Sequence, residues 1–193
     1  NKYKNFDLAL SGIFSLTKEK PLPGAQYYSN PMHALKFALT PSVPIYNEDG
    51  SYNKSVKELN YMNLVEENEI NTHRSRIART FASAEAGYTI LKGLRLSTVF
   101  NVDYINTNEF RYFSPESSDG RSPNGQGDFY RVENLTYNSN TRLNYAAKFG
   151  EHSVDVLAAY EIHSWDKDYA FAEAKNYATD KKNVLNVAST PVE

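Results

Sequence analysis

Residues 131–149 read RVENLTYNSNTRLNYAAKF, and the two alternating sets of side chains differ in character. Apolar or small residues make up one set: Leu135, Tyr137, Ser139, Thr141, Leu143, Tyr145, Ala147 and Phe149. The other set holds four asparagines together with Arg142 and Lys148. This strict period of two predicts a β-strand. Because a buried amide or charge would need a partner, the asparagine-rich face must meet water.

The same period recurs along the chain. It predicts strands at about 4–17, 78–90, 94–105, 131–149 and 153–165. The alanine-rich second segment would also suit a helix on propensity alone. Gly87-Tyr88-Thr89 and the turn that follows favour a strand there.

Strand length and connection length together indicate the architecture. Soluble strands usually have about five or six residues, whereas a tilted membrane strand needs about 9–11 residues in hydrocarbon. The links Leu91–Gly93 and Gly150–His152 are tight, while 18–75, 106–130 and 166–193 are long and polar. Short periplasmic turns and longer extracellular loops are typical of outer-membrane barrels. We therefore expect an all-β fold of antiparallel strands that form part of a large transmembrane β-barrel, with long extracellular loops.

The apolar parity of these strands is expected to face lipid. The predicted lipid-facing residues are Phe6, Leu8, Leu10, Phe14, Leu135, Tyr137, Leu143 and Tyr145. Within the first long loop, a proline followed by apolar residues at spacings of three and four predicts one short helix over Pro31–Leu39.

Composition excludes several classes of function. The 193 residues carry 21 Lys+Arg against 23 Asp+Glu, which gives a net charge of -2. The chain therefore has no excess of positive charge with which to neutralise the phosphates of a nucleic acid. The absence of cysteine excludes disulfides and thiolate chemistry. Mean hydropathy is -0.61, and no stretch approaches the roughly 20 apolar residues of a membrane-spanning helix. Residues Asn1–Asn5 are followed by alternating apolar and polar residues, not by a continuous apolar segment, so the sequence predicts no signal peptide here.

The sequence predicts neither catalysis nor a metal or cofactor site. The four histidines are far apart, and no serine-hydrolase, phosphate-loop or dinucleotide motif is present. Asn47–Gly50 is interpreted as a turn, because it lacks the spaced ligands of a calcium loop. Glu66–Glu69 is interpreted as a solvated acidic stretch.

Aromatic residues in the predicted long loops are candidates for recognition. They are Tyr27, Tyr28, Tyr46, Tyr52, Tyr112, Phe113, Phe129 and Tyr130. Rigid amphipathic rings could stack on sugars or pack against a partner protein. Simple packing within the loops is the alternative for each of them.

Several stretches resemble the SusC/RagA family of TonB-dependent outer-membrane transporters of Bacteroidetes. They are Asn30-Pro31, Thr40–Tyr52 (TPSVPIYNEDGSY), Ala86–Leu96 (AGYTILKGLRL), Leu143–Tyr145 and Phe149–Ser153 (FGEHS). Their order and spacing match the family along most of the chain.

This resemblance implies that residues 1–193 are part of the barrel region of a longer TonB-dependent receptor. The whole protein would import oligosaccharides or peptides across the bacterial outer membrane. Its expected partners are a SusD-like surface lipoprotein, the TonB complex acting through parts absent from this chain, and outer-membrane lipid. A soluble extracellular carbohydrate-binding or adhesin β-domain is the main alternative, and a surface hydrolase is a third.

Overall fold

A computed structural model describes residues 2–3, 5–24, 27, 29–32, 42–55, 62–178, 184–185 and 188–192. Seven strands and one helix with defined bounds lie in these ranges. In chain order they are β1 (Lys2–Tyr3), β2 (Phe6–Glu19), α1 (Leu64–Ile70), β3 (Thr72–Leu91), β4 (Leu94–Phe113), β5 (Gln126–Phe149), β6 (His152–Tyr177) and β7 (Ala188–Val192). No helix in this part of the chain combines the length and the hydropathy needed to cross a membrane.

The strands form one antiparallel sheet in which each strand lies beside its neighbours in sequence, from β1 to β7. This confirms the all-β prediction. The two predicted tight turns also form, between β3 and β4 and between β5 and β6. Gly93 has φ +86° and Gly150 has φ +65°, a left-handed backbone that glycine adopts without steric cost.

Four of the strands are longer than the alternation predicted, and the first of them, β3, begins at Thr72 instead of about residue 78. Strand β4 continues to Phe113, β5 begins at Gln126 and β6 continues to Tyr177. The predicted loops 106–130 and 166–193 are therefore wrong over much of their length. Near these ends the apolar side of the alternation turns polar, and Asn106 donates a hydrogen bond to Glu133 at 2.8 Å. Backbone pairing continues there although the hydrophobic signal has stopped.

The first long connection contains α1, which the sequence did not predict. The Asn63 side chain caps it by accepting hydrogen bonds from the backbone N–H groups of Val65 and Glu66. Glu67 is buried, so the interpretation of this acidic stretch as solvated is wrong at that residue. Pro31 and Met32 are helical, and residues 33–39 of the predicted loop helix lie outside the described residues.

The chain divides into two compact units. The first comprises Asn1–Leu16, Ile77–Asn106 and Val132–Tyr169, and the second comprises Thr17–Arg76, Thr107–Arg131 and Ala170–Glu193.

Charged side chains of the first unit pair with one another on the polar face of the sheet. Arg79 on β3 donates to both carboxylate oxygens of Asp103 on β4. Arg95 on β4 reaches Asp7 on β2 at 2.8 Å, passing over the intervening strand β3 at Gly87. A Cβ at Gly87 would meet the Arg95 guanidinium and lie 2.7 Å from the Asp7 carboxylate. The missing side chain therefore leaves room for this ion pair.

The apolar face of the first unit carries large side chains that nothing in the described structure covers. Leu10 is 73% exposed and Tyr160 is 68% exposed. Of the predicted lipid-facing residues, Phe6, Leu8, Leu10, Phe14, Tyr137 and Leu143 are exposed, while Leu135 and Tyr145 are half-buried. Ile13, Leu157, Trp165 and Tyr169 are exposed, largely apolar exceptions on the polar face.

Candidate functional site

The predicted loop aromatics separate into three groups. Tyr112, Phe113, Phe129 and Tyr130 lie in strands β4 and β5, not in loops. Tyr27 lies outside the strands and contacts Phe113. Tyr46 and Tyr52 form their own pair elsewhere, and Tyr28 lies outside the described residues.

Tyr112 and Phe129 belong to a buried cluster in the second unit. Tyr112 is 1% exposed, and its ring meets that of Tyr177 edge-on at 5.0 Å. Phe110 completes the buried centre, against which Phe129 and Leu185 pack. These positions indicate a packing role for Tyr112 and Phe129 in this chain.

A second group, here called the polar-face cluster, surrounds Arg111 on the opposite side of the same strands. Its members are Tyr27, His73, Arg111, Phe113, Asp128, Tyr130 and Phe171. All of them belong to the second unit. The cluster brings three predicted aromatics together with three polar residues that the sequence did not single out as a site.

Arg111 holds the cluster together through charge and ring contacts. Its Nη2 atom lies 3.2 Å from Asp128 Oδ2, and the two side chains are only 12% and 1% exposed. The guanidinium carbon lies 4.4 Å from the centre of the Tyr130 ring and 5.5 Å from that of Tyr27. Arg111 also donates to the Tyr130 hydroxyl. A guanidinium desolvated between two rings gains more from cation–π attraction than it would at an exposed site.

Opposing effects act on the pKa of the Asp128 carboxyl. Burial raises the pKa of its carboxyl, while the hydrogen bond from Gln126 and the charge of Arg111 lower it. Gln126 Nε2 donates to Asp128 Oδ1 at 3.0 Å and to Glu173 Oε2 at 2.9 Å. Among the described residues, Asp128 Oδ2 accepts no well-aligned hydrogen bond and meets Arg111 only as a close charge. Removal of Arg111 would therefore leave a buried carboxylate without its main compensating charge.

His73 closes the cluster as a neutral aromatic ring. Its pKa is lowered to about 4, chiefly by burial and further by the charges of Arg111 and Lys20. The His73 ring meets Phe113 edge-on at 5.2 Å, and Tyr27 stacks on Phe113 with ring centres 4.7 Å apart. This packing orders the aromatic residues around Arg111.

Strand β6 supplies the remaining ring. Phe171 lies 4.7 Å from Tyr130, at an interplanar angle of 40°. Tyr130 is half-buried, so the cluster presents an aromatic edge as well as polar atoms. Rings and hydrogen-bonding groups at one place can bind a ligand.

Glu67 anchors the connection between β4 and β5 to α1. Its Oε1 atom accepts from the Ser118 backbone N–H at 2.8 Å and from the Ser118 hydroxyl at 3.0 Å. Asn71 donates to the other carboxylate oxygen at 3.2 Å. Burial raises the pKa of Glu67 more than these hydrogen bonds lower it. Nearby, Asp119 accepts from the backbone N–H and the hydroxyl of Ser29. These contacts fix two connections of the second unit.

Tyr46 and Tyr52 flank a small turn away from the cluster. Their rings lie 5.3 Å apart, and an isolated β-bridge joins the two residues. The Tyr52 hydroxyl donates to Glu69 at 2.6 Å, which raises the Tyr52 pKa to about 12. Tyr46 is 49% exposed, so the pair offers an accessible aromatic surface.

The described residues contain no group of three or more His, Asp and Glu side chains suited to hold a metal ion. The polar-face cluster pairs a cation with an anion and surrounds them with rings. This arrangement can bind and orient a molecule.

Two known proteins are similar to most of this chain. It is 26% identical over 157 residues, or 80% of its length, to TonB-dependent receptor P3 of Formosa agariphila. It is 23% identical over 158 residues, or 79% of its length, to TonB-dependent receptor P26 of the same organism. No protein-family model matches the sequence. The chain spans only 15% and 16% of the lengths of these relatives. These distant similarities support a relationship to the TonB-dependent receptor family.

Proposed function

We propose that this chain is an internal segment of the β-barrel of a TonB-dependent outer-membrane transporter. The observation that carries the proposal is the sheet itself, whose long strands have one apolar, uncovered face and one charged face. The similarity to two TonB-dependent receptors supports the same function. In this function the apolar face contacts lipid and the polar face lines the lumen.

The exposed apolar face favours this proposal over a soluble extracellular β-domain. Monomeric soluble proteins rarely expose large continuous apolar patches. The exposed residues of this face recur on five strands: Phe6, Leu8, Leu10, Phe14, Leu16, Tyr88, Ile90, Leu96, Phe100, Tyr137, Leu143, Phe149, Val154, Val156, Tyr160 and Ile162. A soluble carbohydrate-binding or adhesin domain would have to bury them against a second layer.

At a finer level, we propose a SusC/RagA-type transporter that imports oligosaccharides or peptides. The motifs Thr40–Tyr52 and Ala86–Leu96 support this subclass through their resemblance to that family. A SusD-like lipoprotein would cover the extracellular side, where Tyr46 offers an exposed ring beside the half-buried Tyr52. TonB would supply energy through parts of the protein outside this chain. The segment acts by binding and conduction, without catalysis.

The polar-face cluster gives this proposal a candidate substrate contact. Tyr130 is half-buried and bonded to Arg111, so its ring is held in one orientation. An ordered ring loses little entropy when a sugar or peptide group packs against it. We propose that Tyr130 contacts substrate during passage.

Uptake by cells that express the full-length protein tests both levels of the proposal. Labelled oligosaccharides and peptides should enter cells only when both the protein and TonB are present. Tyr130→Ala should reduce uptake about 2- to 10-fold if an aromatic contact is lost. The matched control is Tyr160→Ala, which removes the same side chain from the apolar face and should leave uptake unchanged.

Three results would count against the proposal. Full-length protein in the soluble fraction would favour the soluble binding domain, and uptake that persists without TonB would exclude an energised receptor. An equal loss of uptake in the two tyrosine variants would remove the substrate role of Tyr130.

A further inference from the structure

Three exposed basic side chains lie near one another in the second unit. Along β2, the apolar residues Phe14 and Leu16 are followed on the same face by Lys18. On β3, Arg74 and Arg76 are exposed, whereas the alternating residues His73 and Ser75 are buried. Lys18, Arg74 and Arg76 are called the basic triad below.

The triad is brought together by strand pairing. Lys18 lies on β2 and Arg76 on the neighbouring strand β3, and both residues line one cavity. Like charges on neighbouring strands repel each other, so an anion between the two cations would stabilise this part of the sheet.

A cavity of about 350 Å³ lies beside the triad, and all three basic residues line it. Phe110 and Phe129 supply its aromatic wall. The Arg74 guanidinium carbon lies 4.6 Å from the centre of the Phe110 ring, which holds this arginine over the cavity. The site therefore combines positive charge with an apolar recess.

The neighbouring acidic residues do not neutralise the triad. Among the described residues, no carboxylate lies within ion-pair distance of Lys18, Arg74 or Arg76. Glu19 and Glu109 border the cavity, but they alternate onto the polar side, where Glu109 lies 3.8 Å from Arg111. An anionic ligand would complement the charge that remains.

We infer that the basic triad binds the phosphate of a lipid headgroup in the outer leaflet. This inference rests on the proposed function, because a membrane strand places a basic residue that follows its apolar residues, as Lys18 follows Leu16 on β2, at the headgroup level. The phosphate would lie among Lys18, Arg74 and Arg76, which line one cavity. Basic residues at a membrane surface attract anionic headgroups in this way.

Lipid binding to the full-length protein, purified in detergent from the outer-membrane fraction, tests the inference. Bis-phosphorylated lipid A is titrated and bound lipid is counted by native mass spectrometry. The triple variant Lys18→Gln/Arg74→Gln/Arg76→Gln should bind about 100-fold more weakly, since each basic residue contributes roughly fivefold. The matched control Lys92→Gln/Lys148→Gln/Lys167→Gln removes three exposed cations elsewhere and should bind as the unmodified protein does.

Heat-dependent mobility on gels verifies that each variant is folded. If the triple variant fails to fold, Lys18→Gln/Arg76→Gln keeps the Arg74–Phe110 contact and should still weaken binding about 30-fold.

Three results would overturn the inference. They are equal binding by the triad and control variants, equal binding of dephosphorylated lipid A, and displacement of the lipid by inorganic phosphate at the same concentration. The last would show a site for free phosphate. Any of them would leave the outer-membrane location and TonB-dependent uptake intact, so failure here is distinct from failure of the proposed function.

Discussion

Replacement of Leu143 with arginine tests whether the apolar face lies in hydrocarbon. Leu143 stands on β5 six residues from Tyr137 and six from Phe149, and all three are exposed on the same face. Six residues of strand span about 20 Å, or about 14 Å along the membrane normal at a tilt near 45°. Leu143 is therefore expected near the bilayer midplane, between two aromatic residues at the interfaces.

An arginine at the midplane of a membrane barrel costs about 2–4 kcal/mol. Leu143→Arg should therefore lower the ratio of folded to unfolded full-length protein about 30- to 1,000-fold at a fixed denaturant concentration. The assay is urea-dependent folding into lipid vesicles, followed by tryptophan fluorescence and gel mobility.

Asn140→Arg provides the matched control, three residues away on the polar face of the same strand. Asn140 Nδ2 donates to Glu161 Oε2 at 2.9 Å, so an arginine there could pair with the same carboxylate. Its folding free energy should change by less than about 0.5 kcal/mol. If the two variants fold equally well, or if Asn140→Arg is the more damaging, the assignment of the apolar face to lipid is refuted.

Two further substitutions test packing and protonation in the second unit. Gly127→Ala should lower the free energy of unfolding by about 1–3 kcal/mol in the urea assay used for Leu143→Arg. The added Cβ would clash with the Tyr177 hydroxyl and would lie 3.1 Å from the ring carbon that bears this hydroxyl. Gly12→Ala is the control and should be tolerated, because its Cβ would make only an ordinary contact of 3.4 Å. The pKa of His73 is lowered to about 4, so the folded protein keeps this histidine neutral. The free energy of unfolding should therefore fall by about 3 kcal/mol in total as the pH is lowered from about 6.5 to about 4. Hydrogen exchange at the start of β3, corrected for intrinsic rates, should show this loss in the unmodified protein and a smaller one in His73→Phe; identical pH profiles would contradict it.

The sequence by itself determined the strand character and the two faces of the sheet. Alternation is a local property, because neighbouring side chains of a strand point to opposite sides whatever the strand pairs with. Residues 131–149 therefore specify an apolar and a polar face without any tertiary information. The tight turns at Gly93 and Gly150 could also be predicted from the sequence, because each contains a glycine that can adopt the positive φ the turn requires.

Only the tertiary structure decided how far the strands continue and what their ends bring together. Beyond Asn106 the outward positions become polar or pack under other segments, so hydrophobic alternation no longer reports a strand. Arg111 and Asp128 lie 17 positions apart in sequence and meet through strand pairing. Lys18 and Arg76 are likewise distant in sequence and line the same cavity. Charge compensation and burial depend on these cross-strand neighbours, so the tertiary structure was needed to identify both the polar-face cluster and the basic triad.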